Sequence, residues 1–140
     1  MVETRIAVLV VGAGPALRLR MDEMQRRYGY RMDFAKDPFE AAEHLQEHVV
    51  PVVVCEAAPS YTAECRFLRE ISARSARHPV LLYVEPDEEE RLLELLGQGN
   101  FYVVRPRATL DEFHRTLREA IEKARLRQDF GGPARHATAA

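Results

Sequence analysis

The sequence predicts one α/β domain in which five parallel strands alternate with five helices. Short apolar runs recur along the chain at residues 6–11, 31–35, 52–55, 80–84 and 101–104, and a segment with helical period follows each of them. Strands that alternate with helices favour a parallel sheet with helices packed on both faces. A chain of 140 residues is long enough to bury one such core.

The first two helices are predicted from turn and capping residues. Gly14 and Pro15 open the first helix, because proline suits the first helical position, and Gly29 ends it. Asp37 is the expected N-cap of the second helix, which runs to about Glu47.

The other three helices are predicted over residues 61–77, from Pro86 to Gly97, and from Leu110 to about Gln128, the last of them after a capping box formed by Thr109 and Glu112. The predicted domain therefore spans residues 1–128. Residues 129–140 show no apolar period, so we expect them to form a flexible tail.

The overall composition gives no support for a nucleic-acid-binding, membrane or disulfide-rich protein. A formal net charge of −2 gives no reason to expect affinity for nucleic acid or a membrane surface. No apolar stretch approaches the roughly 20 residues that a membrane span requires, and a cytoplasmic protein is expected. The two cysteines, Cys55 and Cys65, do not form a disulfide framework and are expected to be small apolar core residues.

The loops after four of the predicted strands are the expected location of any chemistry, because ligands bind at the carboxyl ends of the strands in open parallel sheets. These loops read Gly12-Ala13-Gly14, Glu56-Ala57, Val84-Glu85 and Arg105-Pro106.

Three segments give the chain a family resemblance. Residues 6–11, 52–56 and 101–106 resemble the first, third and fifth strands of the receiver domain of two-component response regulators, and the spacing matches from Thr4 to Gln128. The resemblance implies a flavodoxin-like (βα)5 doubly wound sandwich with a five-stranded parallel sheet of order 2-1-3-4-5. It also implies a non-enzymatic role in signalling and a protein partner that docks on the fourth helix, fifth strand and last helix.

The site residues of that family are replaced here. A working receiver has two acidic residues after the first strand, which hold Mg²⁺ together with a phosphoacceptor aspartate. This chain has Gly12 and Ala13 at those two positions. Glu56 takes the phosphoacceptor position if the register is set from the following helix, and Cys55 takes it if the register is set from Pro59.

The switch positions also differ from the family pattern. Val84 replaces the family's hydroxyl residue, Arg105 replaces its lysine, and Tyr102 matches its rotating aromatic residue. The resemblance therefore implies a degenerate pseudo-receiver, a non-catalytic interaction module without a cofactor. We further expect Glu56 to form a salt bridge with Arg105, and the Arg105–Pro106 peptide bond to be cis as it is in the family.

Other interpretations remain open. The chain could be an unconventional phosphoacceptor modified at Glu56 or Cys55, and it could form a homodimer. The turn Gly12-Ala13-Gly14 also resembles part of a dinucleotide-binding fingerprint, although Leu17 replaces the third glycine. His44 and His48 are spaced to share one helix face, where an exposed surface is expected instead of a metal site.

Overall fold

The computed structural model describes residues 5–74, 78–97 and 99–138, with side chains to residue 126 except at positions 73 and 74. The strands are β1 (Ala7–Val11), β2 (Arg31–Ala35), β3 (Val52–Glu56), β4 (Val80–Tyr83) and β5 (Phe101–Val104). The helices are α1 (Pro15–Tyr28), α2 (Pro38–Glu47), α3 (Thr62–Arg74), α4 (Pro86–Leu96) and α5 (Leu110–Thr138).

The five strands form one parallel sheet of order β2-β1-β3-β4-β5, which confirms the predicted fold class and strand order. The register pairs Val11 of β1 with Cys55 of β3, and Glu56 of β3 with Tyr83 of β4. The carboxyl ends of these neighbouring strands therefore lie side by side.

The helices cover the sheet in two layers. Successive strand residues face opposite sides, as the two-residue period of a strand requires. In β1, Leu9 and Val11 pack with α2, α3 and α4, whereas Val8 and Val10 pack with α1 and α5. Both faces of the central strands are buried, which explains their continuous apolar character.

The predicted helix caps form through local hydrogen bonds. The Asp37 side chain accepts from the backbone N–H of Glu40 at 2.9 Å, and the Glu40 carboxylate accepts from the N–H of Lys36. Thr109 and Glu112 exchange reciprocal side-chain-to-backbone hydrogen bonds at the start of α5. Gly29 ends α1 with a φ of 81°, a left-handed conformation that favours glycine.

Several element boundaries differ from the predictions: β1 begins at Ala7 instead of residue 6, and α3 begins at Thr62 instead of residue 61. The strand β3 includes Glu56, and β4 ends at Tyr83, so that Val84 follows the strand. The α5 helix continues past Gln128 to Thr138, through Gly131, Gly132 and Pro133, and the predicted flexibility of this tail stays a prediction. Residues 75–77, where the third helix was expected to end, and residues 139–140 of the tail lie outside the described residues.

Two composition-based expectations can be compared with the described part of the chain. Cys55 and Cys65 are both free and buried, as expected of apolar core residues. None of the described helices combines the length and apolar character needed to cross a membrane.

Candidate functional site

The loops after the strands meet along the carboxyl edge of the sheet. Backbone hydrogen bonds extend the ladder beyond the strand ends, from the N–H of Gly12 to Ala35 O (3.0 Å) and from the N–H of Ala57 to Tyr83 O (3.1 Å). A third bond joins the N–H of Val84 to Val104 O at 3.2 Å. The sequence-predicted site residues of these loops therefore share one edge of the sheet.

The turn between β1 and α1 carries no carboxylate of its own. Gly12 has a φ of +66°, which lies in the left-handed region that favours glycine. Gly14 is the N-cap of α1 in an extended conformation and gives the helix no side-chain cap. The first turn of α1 contains no acidic residue, so the positive end of the helix dipole has no local negative partner.

Glu56 supplies the negative charge that this turn lacks. Its Oε1 atom accepts a hydrogen bond from the backbone N–H of Gly14 at 2.9 Å. A Cβ atom on Gly14 would lie 3.4 Å from Oε1 and 3.5 Å from Oε2, so the carboxylate lies directly against the glycine backbone. The Glu56 carboxylate is therefore held at the N-terminus of α1, where the dipole favours an anion.

The alternation of side chains along β3 explains why Glu56, and not Cys55, reaches this turn. Cys55 belongs to the core cluster on the α2–α4 side, which leaves Glu56 on the side of α1. Burial raises the pKa of the Cys55 thiol above its ordinary value, so the thiol stays protonated at neutral pH. Of the two candidate positions, Glu56 presents its side chain to the loops, and Cys55 does not.

Glu64 is a second carboxylate at this edge, and sequence reasoning did not identify it. A Cβ atom on Gly12 would lie 3.5 Å from Glu64 Oε2, so this side chain crosses from α3 to the β1–α1 turn. The available sequence signal was an acidic residue in the first turn of α3. Within the residues that the structure describes, no group of three or more His, Cys, Asp or Glu side chains could hold a metal ion.

Arg105 does not pair with Glu56, so the predicted salt bridge is wrong. The Arg105 guanidinium instead contacts Oε1 of Glu89 on α4, with N···O distances of 3.3 and 3.4 Å. Glu56 is already bound to Gly14. The Arg105 side chain is 61% exposed, and such exposed pairs contribute little to stability.

The Arg105–Pro106 peptide bond is trans, so the predicted cis bond is also wrong. No cis peptide bond occurs among the described residues. The trans form is the ordinary preference of a bond that precedes proline. The turn after β5 is closed instead by a hydrogen bond from the N–H of Ala108 to Arg105 O at 3.0 Å.

The two remaining switch positions pack on opposite faces of the sheet. Val84 is 2% exposed and belongs to the cluster on the α2–α4 side, whereas Tyr102 is half-buried against the α1–α5 cluster. Lys123 Nζ of α5 lies 5.8 Å from the centroid of the Tyr102 ring, a distance suited to a cation–π contact. The same ammonium forms an ion pair with Glu119 at 3.2 Å.

The histidine pair at the C-terminal end of α2 lies away from the carboxyl edge of the sheet. The rings of His44 and His48 have centroids 4.5 Å apart, and His44 Nε2 lies 3.6 Å from Asp33 Oδ2. These three side chains do not form a group that could hold a metal ion.

Comparison with curated proteins gives matches to bacterial transcriptional regulatory proteins. No protein-family model matches the chain. The chain is 26% identical over 123 residues to the transcriptional regulatory protein ZraR of Klebsiella oxytoca, which covers 87% of this chain and 28% of that protein. ZraR of Escherichia coli K12 is 26% identical over 122 residues, or 86% of this chain and 27% of the relative. The chain thus spans little more than a quarter of the length of these curated relatives.

Solved structures give the same architecture. The signal receiver domain of an HD domain-containing protein from Pseudomonas fluorescens Pf-5 superposes with a TM-score of 0.73 at 21% identity, covering 87% of this chain and 98% of that one. This chain has the receiver-domain fold. NtrX from Brucella abortus, solved in complex with ADP, superposes with a TM-score of 0.78 at 16% identity, over 98% of this chain and 30% of NtrX. The sheet edge that carries Glu56 is therefore the carboxyl edge of a receiver-type sheet.

Proposed function

We propose that the chain is a non-catalytic, cytoplasmic signalling module with the receiver fold, which binds a protein partner and does not accept a phosphoryl group by the usual Mg²⁺-dependent route. The hydrogen bond from the N–H of Gly14 to Glu56 carries this proposal. This bond holds the permanent negative charge of Glu56 at the end of β3, beside a turn whose own residues have no carboxylate.

The residues at this edge do not suit phosphoryl transfer to a carboxylate. That chemistry needs a cation to neutralise the phosphate oxygens, and Mg²⁺ takes oxygen ligands. Gly12 and Ala13 have no side-chain oxygen, and Val84 has no hydroxyl to donate to a phosphoryl group. The guanidinium of Arg105 is turned toward Glu89 and not toward the end of β3.

The same geometry gives less support to phosphorylation of Cys55 and to nucleotide binding. Phosphorylation of Cys55 would require a thiolate, and burial raises the pKa of that thiol. A nucleotide phosphate would need the free N-terminus of α1, where the Glu56 carboxylate lies against Gly14 and would repel it. Leu17, in place of the third fingerprint glycine, is fully buried in the core.

The partner surface that we propose consists of α4, β5 and α5. The half-buried Tyr102 of β5 and the exposed charges of α5 contribute to it, and acidic and basic residues alternate there in a manner that favours protein contacts over nucleic acid. The arginines of this helix include Arg115, Arg118 and Arg125. A further arginine, Arg127, has a side chain outside the described residues. A homodimer through this face is one form that the partnership could take.

Phosphodonor treatment tests the first part of the proposal. Incubation with acetyl phosphate and Mg²⁺ should leave the intact mass unchanged, because Gly12 and Ala13 supply no metal ligand. A phosphorylatable receiver treated in parallel is the positive control. A stable gain of about 80 Da that maps to Glu56 or Cys55 would establish the unconventional phosphoacceptor instead.

The only two lysines of the chain provide a matched test of the partner surface. Lys123→Glu reverses an exposed charge beside Tyr102 on the proposed face, and Lys36→Glu reverses an exposed charge after β2, at the opposite edge of the sheet. In affinity purification, a partner that the wild type retains should also be retained by Lys36→Glu and should be lost with Lys123→Glu. Equal retention by both variants would exclude the face around Tyr102, and self-association would appear in sedimentation analysis of the purified chain.

A further inference from the structure

A cluster of two tyrosines, an aspartate and a histidine joins α5 to α1 and to the start of β2. The Tyr28 hydroxyl donates to Asp111 Oδ1 at 2.6 Å. The His114 ring stacks on Tyr28, with centroids 3.6 Å apart and planes 14° from parallel. On its other side, His114 Nε2 lies 2.9 Å from the hydroxyl of Tyr30, a buried residue.

The charged groups that face this histidine come from both helices. On α5, Arg118 opposes a positive charge on the ring and Asp111 favours one, while Arg115 acts on Asp111. On α1, Arg27 lies 4.0 Å from Asp111 and 5.7 Å from the Tyr28 ring centroid, and Glu23 also faces Tyr28. The segment before β2 adds Tyr30, whose hydroxyl is uncharged near neutral pH.

The surroundings of His114 favour its neutral form. Burial, followed by the charge of Arg118, lowers the pKa of the imidazole below its ordinary value, and Asp111 offsets this only in part. His114 also lies in the second turn of α5, near the positive end of the helix dipole, which disfavours a further positive charge. At neutral pH the ring is therefore uncharged.

We propose that His114 is a proton-sensitive latch that holds the first turns of α5 against α1 and β2, and that protonation of its ring at mildly acidic pH loosens this contact. In the neutral tautomer with a proton on Nδ1, Nε2 accepts a hydrogen bond from the Tyr30 hydroxyl. Binding of a proton from solvent to Nε2 makes it a donor, so its bond to Tyr30 must reverse direction, with the hydroxyl oxygen accepting. The hydrogen of the buried Tyr30 hydroxyl then loses its acceptor, and a new charge lies near Arg118.

The direction of the pH effect follows from linkage. Because the pKa of His114 is lower in the closed form than in the open form, the open form binds the proton more readily. The latch contributes its full stabilisation above the ordinary histidine pKa and loses it as the pH falls below that value. α5 continues to Thr138, so a change at its first turns alters the direction in which the chain leaves the domain. This response of α5 to pH does not depend on phosphorylation.

Hydrogen exchange and proton titration test the latch on the intact chain. Between about pH 7.5 and about pH 5.5, amide protection factors at the end of α1 and the start of α5 should fall by about twofold or more in the wild type. His114→Gln keeps an acceptor for Tyr30 but cannot titrate, so its protection factors should stay constant over this range. His44→Gln, a change on α2 outside the cluster, should behave like the wild type.

Hydrogen exchange would overturn the latch if protection in the wild type were constant with pH, or if the His114→Gln variant lost protection as the wild type does. A second measurement, NMR titration of His114 in the wild type, would overturn it if the midpoint lay at or above the ordinary value of about 6.5. The second measurement needs no variant and decides the question even if His114→Gln does not fold.

Discussion

Glu56 carries one methylene more than aspartate, and this extra reach brings its carboxylate against the backbone of Gly14. The contact joins residues 42 positions apart in the chain and connects the end of β3 to the start of α1. A Cβ atom on Gly14 would lie 3.4 and 3.5 Å from the two carboxylate oxygens, which is ordinary van der Waals contact.

Glu56→Gln tests the charge of this contact. The amide oxygen of glutamine can still accept from Gly14, but the favourable interaction between the carboxylate and the dipole of α1 is lost. We expect the free energy of unfolding to fall by about 0.5 kcal/mol at low salt, with a smaller loss at high salt. Urea denaturation at two ionic strengths measures both effects. Glu70→Gln, which removes an exposed charge from α3, is the control and should be neutral. A Glu56→Gln variant as stable as the wild type at low salt would mean that the dipole contributes nothing here.

At the scale of the helices and strands, the features predicted from sequence are those with local causes. Asp37, Thr109 and Gly29 act through backbone groups a few residues away, so their caps and turns form as expected. The buried strands were predicted because their apolar runs reflect burial on both faces.

The contacts that sequence reasoning missed or misassigned depend on how distant elements meet. The Arg105 guanidinium contacts Glu89 of α4, whereas its expected partner Glu56 accepts a hydrogen bond from Gly14 of the β1–α1 turn. Glu64 reaches Gly12 only because α3 crosses beside the β1–α1 turn. Spacing along the chain does not predict which side chains of distant elements will contact each other, because three-dimensional packing decides those contacts.

Gly99, in the turn between α4 and β5, is an element-scale feature that can be tested. A Cβ atom there would lie 2.7 Å from Ser72 Oγ of α3 and 2.8 Å from Phe101 Cζ, which is too close for any real contact. Gly99→Ala should therefore destabilise the fold by about 1–3 kcal/mol, because the side chains of Phe101 and Ser72 must shift. Thermal or urea unfolding measures the loss. Gly14→Ala is the control: its nearest neighbours are the movable carboxylate oxygens of Glu56, so its loss should be clearly smaller. Equal losses would mean that packing around Gly99 is not tight.

At the scale of the whole molecule, the arrangement of the site bears on how many conformations the domain samples. A protein that switches on modification needs two states within a few kcal/mol, each with different contacts to the added group. The resemblance to receivers assigns the positions that would make such contacts to Gly12, Ala13 and Val84, none of which has a side-chain oxygen, and Arg105 is bound to Glu89. The aromatic side chain of Tyr102 is held near Lys123 on α5.

We therefore predict that the domain occupies one conformation at neutral pH and that partner binding is constitutive. Relaxation-dispersion NMR at about pH 7.5, where His114 is neutral, should show no microsecond-to-millisecond exchange across α4 and β5. Addition of Mg²⁺ with beryllofluoride should leave the Tyr102 signals unchanged, because Gly12 and Ala13 supply no carboxylate and Val84 supplies no hydroxyl for such a phosphoryl mimic. A phosphorylatable receiver run under the same conditions shows that the reagents work. Exchange across α4 and β5 in the untreated chain, or shifts of Tyr102 and its neighbours on addition of the mimic, would contradict a single state and point to a domain that still switches.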